Sequence, residues 1–333
     1  RLVPCSGIAR RAEDAMSGGE IVISLDFELL WGVRDHATRD SYGANILGGR
    51  AAIAPTLERF ARHGIQATWA TVGAAFCGSR EELLEVLPHK DLWPRYQNPA
   101  LSNYRYLDEL GADEAHDPYY FGASLVDQIA DCPGQEIATH TMSHYYCLEP
   151  GADMASFAAD LDAACQVAKQ RSITLQSIVF PRNQYSPLHL DTIEQRGIRR
   201  YRGNPGAWAY RSVAGAGQTL PRRLMRLIDA HTGVLGPHLF RPGGNNVPAS
   251  HFLRPRAGRL TALHPYHLAV IERAMTRAAQ TETGFHLWWH PHNFGLDTEA
   301  NLAGLDRIIA HFTRLREEYG MVSRTMATSG ERQ

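Results

Sequence analysis

The chain has 333 residues, enough for one large α/β domain or two smaller ones. Its 34 Lys and Arg against 35 Asp and Glu give a formal net charge of -1 without a long basic block, which argues against a nucleic-acid partner. No apolar run approaches the roughly 20 residues of a membrane helix, and five cysteines without C-x-x-C spacing argue against a disulfide framework, so a cytoplasmic protein is expected.

Residues 1–18 lack apolar periodicity and read as an N-terminal extension without an assigned role; a single domain is expected over 19–333. The stretch "IVISLDFE" predicts a strand buried on both faces that ends in two acids, Asp26 and Glu28. Strand side chains alternate, so both acids project to one side. A helix over 50–63 follows, with Pro55 near its first turns and Gly64 as its stop. Next come the strand "IQATWATVG", a helix over 80–87, an aromatic-rich insertion near 88–117, a helix ending near Pro133 and a third strand, "QEIATH". A helix over 153–171 leads to the fourth strand, "LQSIVFPR", and a helix over 188–196 leads to the fifth, "IRRYRG". A large insertion near 204–264 carries "RPGGNN"; after it, two helices alternate with the sixth strand, "GFHLWWH", and a short seventh, "MVSRT".

Such alternation is the pattern of α/β proteins, and of a parallel sheet closed or nearly closed into a barrel. A flat doubly wound sheet is the alternative, weakened by the lack of a Gly-rich phosphate loop after the first strand. Active sites of barrels gather at the C-terminal ends of the strands. Asp26, Glu28, His140, His144, Arg182 and His290 all fall there, so residues distant in sequence are expected to converge on one rim.

In "HTMSH", His140 and His144 are four apart; if a helix begins there, both imidazoles face one way and can share a metal. In a chain with 16 histidines this spacing is weak on its own. With Glu28 or Asp26 as third ligand, however, the set matches a catalytic zinc with an open position for water. The structural alternative for the acids is a helix cap or a salt bridge to Arg34 or Arg182. His286 and His290 are also four apart, but on a strand their rings stand about 13 Å apart and cannot chelate one ion, so His286 is assigned to packing.

In order, "SLDFE", "HTMSH", "FPRNQY" and "LWWH" resemble the motifs of the polysaccharide deacetylases with the NodB homology domain, carbohydrate esterase family four, over roughly residues 20–325. The resemblance implies a distorted parallel (β/α)7 barrel, a divalent metal, usually Zn2+, and hydrolysis of N-acetyl or O-acetyl groups on sugars. The Asp-x-Glu form of the first motif is similar to a subgroup of bacterial surface-polysaccharide and O-antigen clusters. The substrate implied is an amino-sugar-containing saccharide or a nucleotide- or lipid-linked sugar. The family's two adjacent aspartates are replaced by Asp26-Phe27-Glu28, so the base role is transferred to Asp26 and the ligand role to Glu28, beside His140 and His144. Arg182 is expected to orient the base and His290 to act as acid, with His292 its rival; Asn183, Gln184 and Tyr185 are expected to bind substrate, Gln184 or Tyr185 through a backbone N–H aimed at the oxyanion. The family's acid that tunes the catalytic histidine has no clear match, Asp229 being a candidate. Two other functions fit the same residues: an amidohydrolase acting on a non-sugar C–N bond, and an inactive sugar-binding module.

Overall fold

A computed structural model describes residues 18–256 and 258–331; the expected N-terminal extension, apart from its last residue, lies outside them. Among the described residues eight strands form one parallel sheet: β1 (Glu20–Phe27), β2 (Ala67–Thr71), β3 (Gln135–Thr139), β4 (Ser177–Ile178), β5 (Arg200–Tyr201), β6 (His251–Phe252), β7 (Gly284–Trp289) and β8 (Val322–Arg324). The helices are α1 (Arg39–His63), α2 (Arg80–Val86), α3 (Ala123–Ala130), α4 (Met154–Gln170), α5 (Pro187–Glu194), α6 (Leu220–Thr232), α7 (His264–Gln280) and α8 (Thr298–Tyr319). The strand order is β5-β4-β3-β2-β1-β7-β6, with β8 added to the first half of β1. All eight residues of β1 are buried, as a central parallel strand covered by helices requires.

The sheet curls into a distorted (β/α)7 barrel, and the segment around β6 joins its two edges. On one side Val247 N–H donates to Tyr201 O (2.9 Å) and Ala249 N–H to Gly203 O (2.9 Å); on the other Ser250 N–H donates to His286 O (2.8 Å) and Leu253 N–H to Trp288 O (2.8 Å). The seventh strand of the ring therefore comes from inside the 204–264 insertion. The expected seventh strand, "MVSRT", is instead β8, off the ring path, hydrogen-bonded to the start of β1.

One departure from the sequence reading shapes the rim. Helix α1 begins at Arg39, capped by Thr38 and Ser41, so Pro55 lies in its interior. Its extra turns contain Gly49, where a Cβ would stand 2.5 Å from His292 Cα; the glycine lets the helix backbone press against the loop after β7. The "RPGGNN" stretch of the insertion sits at the end of the barrel opposite the rim. Arg200, at the start of β5, bonds Gly244 O, and Gly330, whose N–H reaches Glu20 Oε2 (2.9 Å) at the start of β1, lies against Gly243.

Candidate metal and hydrolytic site

The rim brings four strand ends together: Asp26 and Glu28 from β1, His140 from β3, Arg202 from β5 and His290 from β7. Glu28 is 3% exposed, and its Oε2 lies 3.0 Å from His144 Nε2 and 3.4 Å from His140 Nε2. Ligand atoms of the three residues all fall within 4.8 Å of one another. The carboxyl has room because residue 32 is glycine: a Cβ there would stand 1.9 Å from Glu28 Cδ.

The protons of this cluster point to a cation. His140 Nδ1 lies 2.7 Å from the carbonyl of Val179, which accepts only if Nδ1 carries a hydrogen, so Nε2 is the atom turned toward the Glu28 carboxylate. His144 Nδ1 is buried without a hydrogen-bond partner. A buried carboxylate facing two imidazole Nε2 atoms needs a positive charge among them, which a proton or a bound cation supplies. The donor set, one carboxylate oxygen and two imidazole nitrogens, fits a divalent metal with an open position.

The HTMSH stretch is a loop, not the start of a helix, and Thr141 (φ 65) and His144 (φ 58) lie in the left-handed region. Asp160 of α4 holds it: the fully buried carboxylate accepts Met142 N–H (2.7 Å), Ser143 N–H (3.2 Å), the Ser143 hydroxyl and the Tyr104 hydroxyl (3.1 Å). Burial raises the Asp160 carboxyl above its usual range, and these donors only partly oppose that. The aromatic insertion braces the same loop, Asn103 Nδ2 donating to Trp31 O and Ser143 O (2.9 Å each). Its Tyr96 and Tyr104 are buried, so they serve packing.

Asp26 is 3% exposed and is gripped by Arg202, Nη1 donating to Oδ1 and Nη2 to Oδ2, both at 2.7 Å. Arg202 is itself buried, also donates to Ser24 Oγ (2.9 Å) and Asn183 Oδ1, and stacks 4.1 Å over the ring of Trp288. Burial alone would push the Asp26 carboxyl up; the Arg202 charge outweighs it and holds the group below its ordinary value. The expected partner, Arg182, goes elsewhere: it pairs with Asp35 (2.5 Å) and lies over Tyr146. Arg202 was missed, although it closes the fifth strand where the barrel rule places site residues. Asp160 carried no local signal at all.

His290 sits between the acids, its Nε2 3.8 Å from Asp26 Oδ2 and 3.6 Å from Glu28 Oε1, with its side chain 22% exposed. Its Nδ1 meets Asn293 Nδ2 at 3.4 Å, whereas Asp229 bonds Tyr210, His238 and Leu235 N–H on α6 and does not tune it. His292 lies behind, stacked on His290 at 5.0 Å and buried, and burial together with the His290 charge pushes its imidazole down to about 3. Of the expected substrate-binding residues, Gln184 is buried with its side chain on Glu149 and Leu148 N–H. The Gln184 and Tyr185 N–H groups donate to Pro181 O and Ser212 Oγ, so neither is free for an oxyanion. Asn183 reaches the site through Arg202.

No family model and no curated protein matches the sequence. Solved structures do match in fold. A "putative polysaccharide deacetylase from Mycobacterium smegmatis" aligns at a TM-score of 0.58 and 12% identity over 98% of this chain and 93% of that one. A GH57-type branching enzyme from the archaeon Pyrococcus horikoshii aligns at 0.53 and 13% (93% and 70% covered), and the Puue allantoinase at 0.50 and 11% (92% and 87%). The chain thus has the polysaccharide deacetylase fold, a barrel that also carries other chemistries.

Proposed function

We propose that this protein is a metal-dependent hydrolase that removes an N-acyl group, most simply N-acetyl, from an amino sugar. The observation that carries the reading is the buried Glu28 carboxylate set between two imidazole Nε2 atoms, with Asp26 and His290 beside it. Glu28, His140 and His144 hold the metal, Zn2+ being the ion that suits one carboxylate and two imidazoles. Once bound, a divalent cation supplies a water of lowered pKa and polarises the acyl carbonyl.

The remaining steps belong to the chain. Asp26 takes the proton of the attacking water; each of its oxygens is bonded to Arg202 and keeps a further lone pair for that proton. Arg202 keeps Asp26 ionised and fixes its plane, the task expected of Arg182. His290, exposed to the cleft, donates a proton to the departing sugar nitrogen, without which an amine leaves poorly. His292, buried behind it, positions the ring.

The Asp26-Phe27-Glu28 spacing supports a place in bacterial surface-polysaccharide or O-antigen assembly. Absence of a membrane-crossing helix among the described residues fits a cytoplasmic, early step on a nucleotide- or lipid-linked precursor. The test is acetate release from N-acetylhexosamine conjugates with zinc added and with chelator. The reading expects zinc-dependent release that Asp26→Asn abolishes with metal still bound; release from small cyclic amides alone would overturn it.

A further inference from the structure

A cavity of about 370 Å³ opens beside the hydrolytic site, walled by Trp288 and Phe252 on the side of His290. Their rings stand 5.6 Å and 5.8 Å from the His290 ring. Among the rest of its lining are five arginines, Arg182, Arg211, Arg223, Arg226 and Arg254, and no carboxylate. Arg182 shares its charge with Asp35, but the other four pair no acid among the described residues. Arg226 is half-buried and spends one Nη1 donor on Ala209 O and one Nη2 donor on Gln218 Oε1. Arg254 is half-buried too, with a buried Nε that has no partner. Burial and the neighbouring arginines push the Arg226 guanidinium below its ordinary value. Arg211 and Arg223 are exposed, but Arg226 and Arg254 are half-buried without counter-charge, which is costly and suits an anion that arrives from outside.

We infer that this cavity is a subsite for a diphosphate group joined to the acylated sugar. The inference rests on the hydrolase reading and names its substrate class. Guanidinium groups match phosphate oxygens in fork geometry, and two half-buried guanidinium groups with two exposed ones beside them match the charge of a diphosphate better than the single negative charge of a uronate. Trp288 and Phe252, in ring contact with His290 and on the wall of the cavity, give a sugar a platform shared by the hydrolytic residues and the arginines. Beyond the diphosphate, Leu220, Leu224 and Ile228 of α6 are exposed at four-residue steps, a surface that an apolar aglycone could meet.

The test is titration calorimetry on the full, chelator-treated chain, so that phosphate cannot bind through the metal. The probes are UDP-N-acetylglucosamine, farnesyl-diphosphate-linked N-acetylglucosamine, free N-acetylglucosamine and glucuronic acid. The inference expects at least one diphosphate conjugate to bind tenfold or more tighter than either uncharged sugar or uronate, with affinity that falls as salt rises. Arg254→Gln and Arg226→Gln, checked for intact thermal unfolding, are each expected to weaken that conjugate about tenfold or more and leave free sugar unchanged. Whichever conjugate binds better identifies a nucleotide or a lipid as the aglycone. Equal binding of all probes, of conjugate and uronate, or of conjugate by wild type and both variants overturns the subsite. Tight conjugate binding by the chelated chain with no acetate release from that conjugate once zinc is restored upholds the subsite and overturns the deacetylase reading instead.

Discussion

Replacing Arg202 with methionine removes the guanidinium that grips Asp26 while keeping much of the side-chain volume against Trp288. Both partners are almost fully buried, 1% and 3% exposed, so water cannot take over. Breaking one half of such a pair costs roughly 3–5 kcal/mol, because the surviving charge is left uncompensated. Loss of the Ser24 and Asn183 bonds adds to this. Arg182→Met should cost less by contrast: water reaches its side chain, which is 33% exposed, although its partner Asp35 is only 13% exposed. Urea unfolding of both variants measures the difference. Adding Asp26→Asn to Arg202→Met should recover part of the loss, since the stranded charge is gone. If Arg202→Met costs less than about 1 kcal/mol, or the double variant is no better than the single, Arg202 does not compensate a buried aspartate and the reasoning fails.

Other perturbations probe the remaining supports. His140→Ala should lose both bound metal and turnover, whereas Asp26→Asn should keep metal and lose turnover; elemental analysis beside acetate release reads both, and the reverse pattern would exchange the two acids' roles. Gly32→Ala drives a methyl into the Glu28 carboxyl and should lower metal content as well as stability, by about 1–3 kcal/mol, in chemical denaturation. Asp160→Ala strands the Met142 and Ser143 N–H groups and should cost about 2–6 kcal/mol, with the metal site weakened although no ligand is touched. His292→Ala, by contrast with His290→Ala, should reduce turnover without abolishing it, as measured by the pH-independent rate.

Much of the fold was legible where apolar runs are long. β1, β2, β3 and β7 each carry five or more residues of strand, and their alternation with helices gave the barrel. β6 was not legible, because two residues in a loop-like insertion become a strand only when β5 and β7 offer bonds on either side. The start of α1 was hidden by glycines that lower helix propensity but allow the close approach to His292. At the site, residue types at strand ends identified Asp26, Glu28, His140, His144 and His290 as neighbours. The path of the chain between them was not readable: His140 and His144 meet through a left-handed loop tied to Asp160, not through helical spacing. Likewise nothing local separates Arg182 from Arg202. The chain takes left-handed geometry at Arg182 (φ 54) and Asn183 (φ 51), and the Arg182 guanidinium ends on Asp35.

The most direct test of the metal site is an anomalous-difference map from crystals grown with zinc. One peak about 2.0–2.2 Å from a Glu28 oxygen, His140 Nε2 and His144 Nε2 is expected. A peak bound elsewhere, or none at these three side chains with zinc in excess, would contradict the account.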